Sequence, residues 1–135
     1  MPRRRSDGPL QSRQQPGGEF ATYVADMFAL LGPVRMGRLF SGYGYKLDGV
    51  QFAMILRGTL YLRVDAELEA ELSALGSQPF GYQTKQRSMT IRSYWAVPED
   101  RLDDTDLVLA WARRAIAAAL ANASRRKPKR LARAE

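Results

Sequence analysis

The sequence contains no cysteine and no histidine among its 135 residues. Disulfides, thiol nucleophiles, Ser-His-Asp triads, imidazole general bases and zinc sites built from Cys and His are therefore excluded. Carboxylates, lysines, tyrosines and hydroxyls remain as reactive groups, but no pair of them has a spacing that indicates an acid–base site. We therefore expect a protein that is not an enzyme, with no catalytic residue and no cofactor.

Long apolar segments are also missing. The longest apolar run is far shorter than the roughly 20 residues that a membrane helix needs. The N-terminal stretch MPRRRSDGPLQSRQQPGG is basic, but no apolar segment follows its arginines, so it does not have the pattern of a secretory signal. We expect a cytoplasmic protein with no membrane partner, and the lack of disulfides is compatible with that compartment.

The formal net charge of +7 is concentrated at the two ends of the chain. Residues 1–18 carry four Arg against one Asp, and residues 124–135 carry six Lys or Arg against one Glu. The segment between them holds 11 basic and 12 acidic residues and is close to neutral. We interpret 1–18 and 124–135 as disordered basic tails that flank one domain at 19–123.

The basic residues of the tails are candidates for contact with nucleic acid. Such runs bind phosphate by releasing counterions and do not read bases. The alternative is a solvated tail that keeps the protein soluble. The candidate nucleic-acid-binding residues are Arg3, Arg4, Arg5, Arg125, Arg126, Lys127, Lys129 and Arg130.

Three helices are predicted from apolar residues at helical spacing. The first covers about 19–31, and a Gly-Pro pair ends it. The second covers 66–75, and Asp65 is a good N-cap for it. The third begins near 103–105, where carboxylates favour a helix N-terminus, and is expected to fray near Ser124.

Strands and tight turns are predicted between these helices. The stretch 34–64 is apolar and rich in β-branched and aromatic residues, with turns near Ser41-Gly42, Asp48-Gly49 and Arg57-Gly58. A second hairpin is predicted at 79–97. The order of helix, three or four strands, helix, two strands and helix indicates an α+β fold with two layers. In this fold, helices cover one face of an antiparallel sheet.

Aromatic residues on the strands are candidates for core or for contact with a partner. In the last strand, Met89, Ile91, Trp95 and Val97 occupy mostly alternating positions, and we expect Trp95 to lie in the core. Tyr61 and Tyr94 are the residues expected to be exposed, and we assign them to protein interaction.

Two further patterns are weak. Gly42-Tyr43-Gly44-Tyr45 partly matches an RNA-binding strand motif, but its flanking residues do not fit, so we interpret these residues as core with glycine at a bend or bulge. The carboxylates at 99–106 have no metal-loop spacing and are better explained by helix capping. We expect no metal site.

Several ordered blocks resemble the N-terminal domain of the TfoX/Sxy family. They are LGPVRMGRLFSGYGYKLDGVQFAMILRGTLYLRVD, then GSQPFGYQ, then SYWAVPEDRLDDTDLVLAWARRAIAAA. The resemblance spans about 27–120 and implies the order α-β(3–4)-α-β(2)-α. It also implies a link to bacterial natural competence, where members regulate transcription beside the cyclic-AMP receptor protein at promoters. Two-domain members continue into a helical C-terminal domain that is missing here, so we expect a stand-alone N-terminal domain.

The resemblance and the charge distribution together suggest a function in binding. We expect a regulatory adaptor whose domain contacts a protein partner, such as the transcription machinery, while the tails add non-specific affinity for nucleic acid. The alternative is a homo-oligomeric protein, for example a homodimer, or a chaperone-like interaction protein that binds no nucleic acid.

Overall fold

The computed structural model of the chain describes the backbone of residues 18–134 and the side chains of residues 18–125. Within this part of the chain, three α-helices and six strands form an α+β fold. The helices are α1 (Glu19–Phe28), α2 (Ala66–Ala74) and α3 (Thr105–Ala134), and short 3-10 turns lie at Ala29–Leu31 and Glu99–Arg101. The strands are β1 (Arg35–Leu39), β2 (Gly42–Leu47), β3 (Val50–Leu56), β4 (Thr59–Arg63), β5 (Pro79–Gln83) and β6 (Ser88–Ala96).

All six strands belong to one antiparallel sheet in the order β1-β2-β3-β4-β6-β5. Two of the predicted turns are confirmed. Asp48-Gly49 joins β2 to β3 with φ of 53° and 78°, and Arg57-Gly58 joins β3 to β4 with φ of 53° and 81°. Positive φ at both central residues is the geometry whose twist suits a two-residue hairpin. The sheet is therefore built mainly from local connections.

The main core lies between the helices and one face of the sheet. Tyr45 on β2 is fully buried there, and its hydroxyl donates to the carbonyl oxygen of Ala21 on α1 at 2.7 Å. The ring centroid of Phe28 on α1 lies 5.2 Å from that of Tyr45 and also 5.2 Å from that of Phe52 on β3. Burial raises the pKa of the Tyr45 hydroxyl. The first helix is therefore fixed to the sheet by aromatic packing and one buried hydrogen bond.

The second helix is attached to the third by polar contacts. Glu71 on α2 accepts hydrogen bonds from Arg114 at 2.8 Å and from the Trp111 indole at 3.3 Å. These bonds, that of Arg114 first, hold the pKa of Glu71 below its ordinary range. At the start of α2, the Asp65 carboxylate accepts from the Leu68 backbone N–H at 2.9 Å, which confirms the predicted N-cap.

Irregularities in two strands change which face some side chains occupy. The pairing of β5 with β6 shifts register between Pro79 and Phe80. Trp95 is buried in the main core, whereas Ile91 packs on the opposite face of the sheet. The expected core position of Trp95 is therefore confirmed, whereas the alternation of the strand does not continue from Ile91 to Trp95. A bulge moves the alternation by one position, and uninterrupted period-two spacing cannot anticipate it.

The third helix is longer than predicted. Its backbone is helical to Ala134, whereas we expected it to fray near Ser124. Asp104 caps its first turn, because its carboxylate accepts from the Leu107 N–H at 3.2 Å. The alanine-rich sequence up to Ala123 has high helix propensity, whereas the continuation contains Pro128, a residue that is unfavourable inside a helix. Within the described residues, no helix has the length and apolar character needed to cross a bilayer.

Candidate docking surface

The face of the sheet opposite the helices carries a second apolar cluster. We call it the open face. Met54 and Leu56 from β3 and Tyr94 from β6 are its buried centre, with exposed fractions of 5%, 5% and 8%. Leu39, Tyr61, Phe80 and Ile91 pack around them and are partly buried. No helix in the described part of the chain contributes to this cluster, so the side chains of the sheet itself cover its centre and form an apolar patch on this face.

A groove of about 560 Å³ crosses this cluster. Its walls come from the β1–β2 hairpin on one side and the β5–β6 hairpin on the other. The apolar and aromatic residues that line it are Leu39, Phe40, Met54, Leu56, Phe80, Tyr82, Ile91 and Tyr94. Concave surfaces lined mainly by apolar side chains, with a few polar groups at fixed positions, are typical of binding sites.

Phe40 stands at the rim of the groove in an unusual backbone conformation. It lies at the tip of the β1–β2 hairpin, between Leu39 and Gly42, which pair with each other. Its φ is 53° and its side chain is 87% exposed. A bulky residue with positive φ is uncommon, and such strain concentrates at functional sites. The hairpin therefore presents a phenyl ring to solvent at a conformational cost.

Two glycines lie on β2 next to this turn. A Cβ on Gly42 would collide with the carbonyl oxygen of Ile55 on the neighbouring strand, so this position must remain without a side chain. A Cβ on Gly44 would meet the Gln51 Oε1 at 2.6 Å, but that atom ends a flexible side chain that can move. The turn predicted near Ser41-Gly42 lies one residue earlier, at Phe40-Ser41, which puts the aromatic ring at the tip.

The Gln51 side chain forms a polar border at one end of the groove. It lies over Gly44, and its Nε2 donates to the Tyr94 hydroxyl at 3.2 Å. The Tyr94 hydroxyl in turn donates to the Gln51 carbonyl oxygen at 3.4 Å. Arg63 lies over the Tyr94 ring, with its guanidinium carbon 5.8 Å from the centroid. Tyr94 is thus held as a rigid part of the groove wall.

Comparison with protein-family models gives one match, the TfoX N-terminal domain, over residues 26–119. The chain belongs to the TfoX N-terminal domain family. No curated protein matches the chain significantly. The matched segment contains both hairpins and therefore the whole groove, so the open face is part of the TfoX domain itself.

The outcome for the predicted protein-interaction residues is mixed. Tyr61 is half-buried on the open face, where its ring meets Phe80 edge-to-face at 5.1 Å. Tyr94 is buried, so our expectation that it is exposed is wrong, because Gln51 and Arg63 cover it. Their role in binding stays a prediction. Phe40 was not among the predicted interaction residues. An aromatic residue inside a two-residue turn is the sequence pattern that would have indicated it.

The predicted nucleic-acid residues fall mostly outside the described side chains. Arg125 is exposed on α3. The residues Arg3, Arg4, Arg5, Arg126, Lys127, Lys129 and Arg130 lie where the structure describes no side chain. Their role therefore stays a prediction.

The described residues also bear on the two weak patterns. Tyr45 is buried in the main core and Tyr43 packs against it partly buried, in agreement with our interpretation of these residues as core. Among the residues described, no group of three or more carboxylates could hold a metal ion.

Proposed function

We propose that this TfoX domain is a cytoplasmic, non-enzymatic regulatory module that acts by docking a protein partner on its open face. The basic segments at the two ends of the chain add non-specific affinity for nucleic acid. The family's connection with competence regulation supports a regulatory role in transcription. The partner would then be a protein that works at promoters.

One observation supports the docking proposal above all: the apolar groove is bordered by a strained and exposed Phe40. A domain selected for stability alone would be expected to bury such a ring or to place glycine or asparagine at this turn. Exposed aromatic residues beside partly filled apolar grooves are frequent anchors of protein interfaces. The retained Phe40 is explained if the ring enters a pocket on the partner.

A site-specific crosslink tests this proposal. Benzoylphenylalanine would replace Phe40 in one variant and Tyr23 in a second one; Tyr23 is 45% exposed on α1, on the helical side of the domain. We expect irradiation of cells to give one dominant protein adduct from position 40 and none of that mass from position 23. Equal labelling from both positions, or none from position 40, would contradict docking at the open face.

The proposed nucleic-acid affinity needs a separate test. With about five phosphate contacts, affinity for duplex DNA should fall roughly 500-fold between 50 and 200 mM salt. A gel shift of the full chain and of a variant ending at residue 123 would measure this effect. Binding that is unchanged by the truncation would show that residues 124–135 do not contribute.

Self-association is the alternative function. Two copies could join through their open faces, but the charges described below oppose that arrangement. Light scattering at micromolar concentration distinguishes the cases, and we expect a monomer. A stable dimer that Phe40→Asn dissociates would favour the alternative.

A further inference from the structure

The near neutrality of the domain conceals a separation of charge between its two layers. The strands and their connecting turns, residues 35–63 and 79–96, hold eight Lys or Arg and a single acidic residue, Asp48. The rest of the segment 19–123 holds 11 carboxylates and only three arginines. The sheet layer is thus strongly basic and the helical layer strongly acidic. Fields of this kind select partners by the sign of their charge.

Five of the sheet cations line the groove or the two depressions next to it. Arg57 lines the groove itself. Arg35, Arg38 and Lys46 line a neighbouring depression that shares Leu39 and Gln51 with it. Lys46 and Arg63 line another one, which shares Gln51 and Tyr94. Among the described residues, no carboxylate lines any of these three depressions.

These cations also have no carboxylate partner in the described part of the chain. The ion pairs found there join Arg92 to Glu69, Arg101 to Asp100 and Arg114 to Glu71. They involve residues of the helices and the segments next to them, except for Arg92 on β6. The cations at the groove are therefore available to an anionic ligand that also covers apolar surface.

Charge excludes two candidate occupants. A second copy facing the first would bring this cationic surface, which carries Arg57, Arg63 and Lys46, against an equally cationic one, and like charges in an interface are unfavourable. The chain's own N-terminal segment, residues 1–18, carries a net charge of +3 and would be repelled in the same way. An acidic partner remains.

The shape of the groove floor favours protein over nucleic acid. Base stacking needs exposed aromatic faces in succession. Here the two exposed rings, Phe40 and Tyr82, lie on opposite walls of the groove. Met54 and Leu56 lie between them and Tyr94 is buried, so the exposed rings do not follow one another as stacking faces. Aliphatic floors of this kind accept apolar side chains, as in grooves that bind amphipathic segments.

We propose that the groove binds an acidic amphipathic segment of the partner protein, with large apolar side chains on the Met54–Leu56 floor and carboxylates towards Arg57, Lys46 and Arg63. This inference rests on the proposed docking function and adds the chemistry of the ligand. Phe40 contacts the apolar side of the segment.

The test begins with a random 12-residue phage-displayed peptide library selected on the full chain. We expect the enriched peptides to be net negative and to contain at least two large apolar residues. An enriched peptide, labelled with fluorescein, is then titrated by anisotropy. Arg57→Glu should weaken its binding about tenfold, and Phe40→Asn by tenfold or more.

Arg113→Glu is the matched control, because Arg113 is an exposed arginine on α3; we expect it to leave the affinity unchanged. Raising the salt concentration from 50 to 300 mM should weaken binding of the peptide several-fold, since the ion pairs between its carboxylates and the cations at the rim are exposed to solvent. Equal effects of Arg57→Glu and Arg113→Glu would show that the attraction is not local to the groove.

Failure of this inference can be distinguished from failure of the docking function. Enrichment of neutral or basic apolar peptides that Phe40→Asn no longer binds would overturn the acidic ligand and leave docking intact. If no peptide is enriched but position 40 gives a specific crosslink, the acidic ligand is likewise overturned and docking at the open face stands. Binding of a labelled single-stranded 20-nucleotide DNA that Phe40→Asn abolishes, with no peptide enriched, would show that the ligand is nucleic acid. No enrichment and no crosslink would overturn both.

Discussion

Replacing Phe40 by asparagine should remove the proposed docking function without destabilising the domain. The left-handed conformation at φ 53° costs a residue with a bulky side chain about 1–2 kcal/mol, and asparagine tolerates it better. The substitution should recover most of that free energy. This gain in stability is offset in part by the free energy lost when the small covered part of the Phe40 ring is removed.

The opposing contribution follows from exposure. The Phe40 side chain is 87% exposed, so only about 25 Å² of an aromatic side chain of about 200 Å² is covered. At about 25 cal/mol per Å², this contact stabilises the domain by about 0.6 kcal/mol. The net effect of Phe40→Asn should therefore be a free energy of unfolding that is unchanged or raised by about 0.5 kcal/mol.

Urea unfolding followed by tryptophan fluorescence measures this change, because Trp95 and Trp111 are both buried and will report exposure. Phe52→Ala is the contrasting variant. Its ring is fully buried, and we expect a loss of about 3–5 kcal/mol. A loss of more than about 1 kcal/mol for Phe40→Asn would refute the reasoning, because the ring would then have to pack against the domain.

Three further predictions concern the scaffold. Gly42→Ala should lower the free energy of unfolding by at least about 2 kcal/mol, because the new Cβ would collide with the Ile55 carbonyl. A Cβ at Gly37 on β1 meets nothing within 4 Å, so Gly37→Ala should change the free energy of unfolding by no more than about 0.5 kcal/mol. Equal urea midpoints for the two variants would contradict this prediction. Tyr45→Phe should cost about 1 kcal/mol at pH 8 through the lost hydrogen bond. Because burial raises the pKa of Tyr45 in the folded state, its contribution is complete below pH 10 and declines by about 1.4 kcal/mol per pH unit above it; urea unfolding from pH 8 to 11 should show this decline in the wild type and less of it in the variant. Asp65→Ala should cost about 1 kcal/mol through loss of the N-cap on α2, measured as a lower thermal midpoint; an unchanged midpoint would show that the cap is dispensable.

Much of the fold could be predicted from local patterns. Gly-containing turns at Asp48-Gly49 and Arg57-Gly58 were recognisable because few residues tolerate their backbone angles. Helix caps such as Asp65 were recognisable because the side chain satisfies a backbone donor three residues away. The α+β class followed from the order of these elements, since apolar stripes on helices and strands must be buried against each other.

The candidate site was only partly accessible to the same reasoning. The basic tails could be located by counting charges, but Tyr94 was expected to be exposed and is buried. Phe40 was placed on a strand and lies at the turn. In both cases the deciding contacts come from other strands: Gln51 covers Tyr94, and the Ile55 carbonyl requires glycine at position 42.

The sequence by itself determined the elements, the absence of thiol and imidazole chemistry, and the near-neutral charge of the domain, because these depend on residue type and on neighbours along the chain. Only the tertiary structure decided that Arg57, Lys46 and Arg63 lie around one groove, and that Ile91 joins Met54 and Leu56 on the open face. Pairing register and bulges between strands distant in sequence set these outcomes, and a shift of one residue in register moves a side chain to the other face.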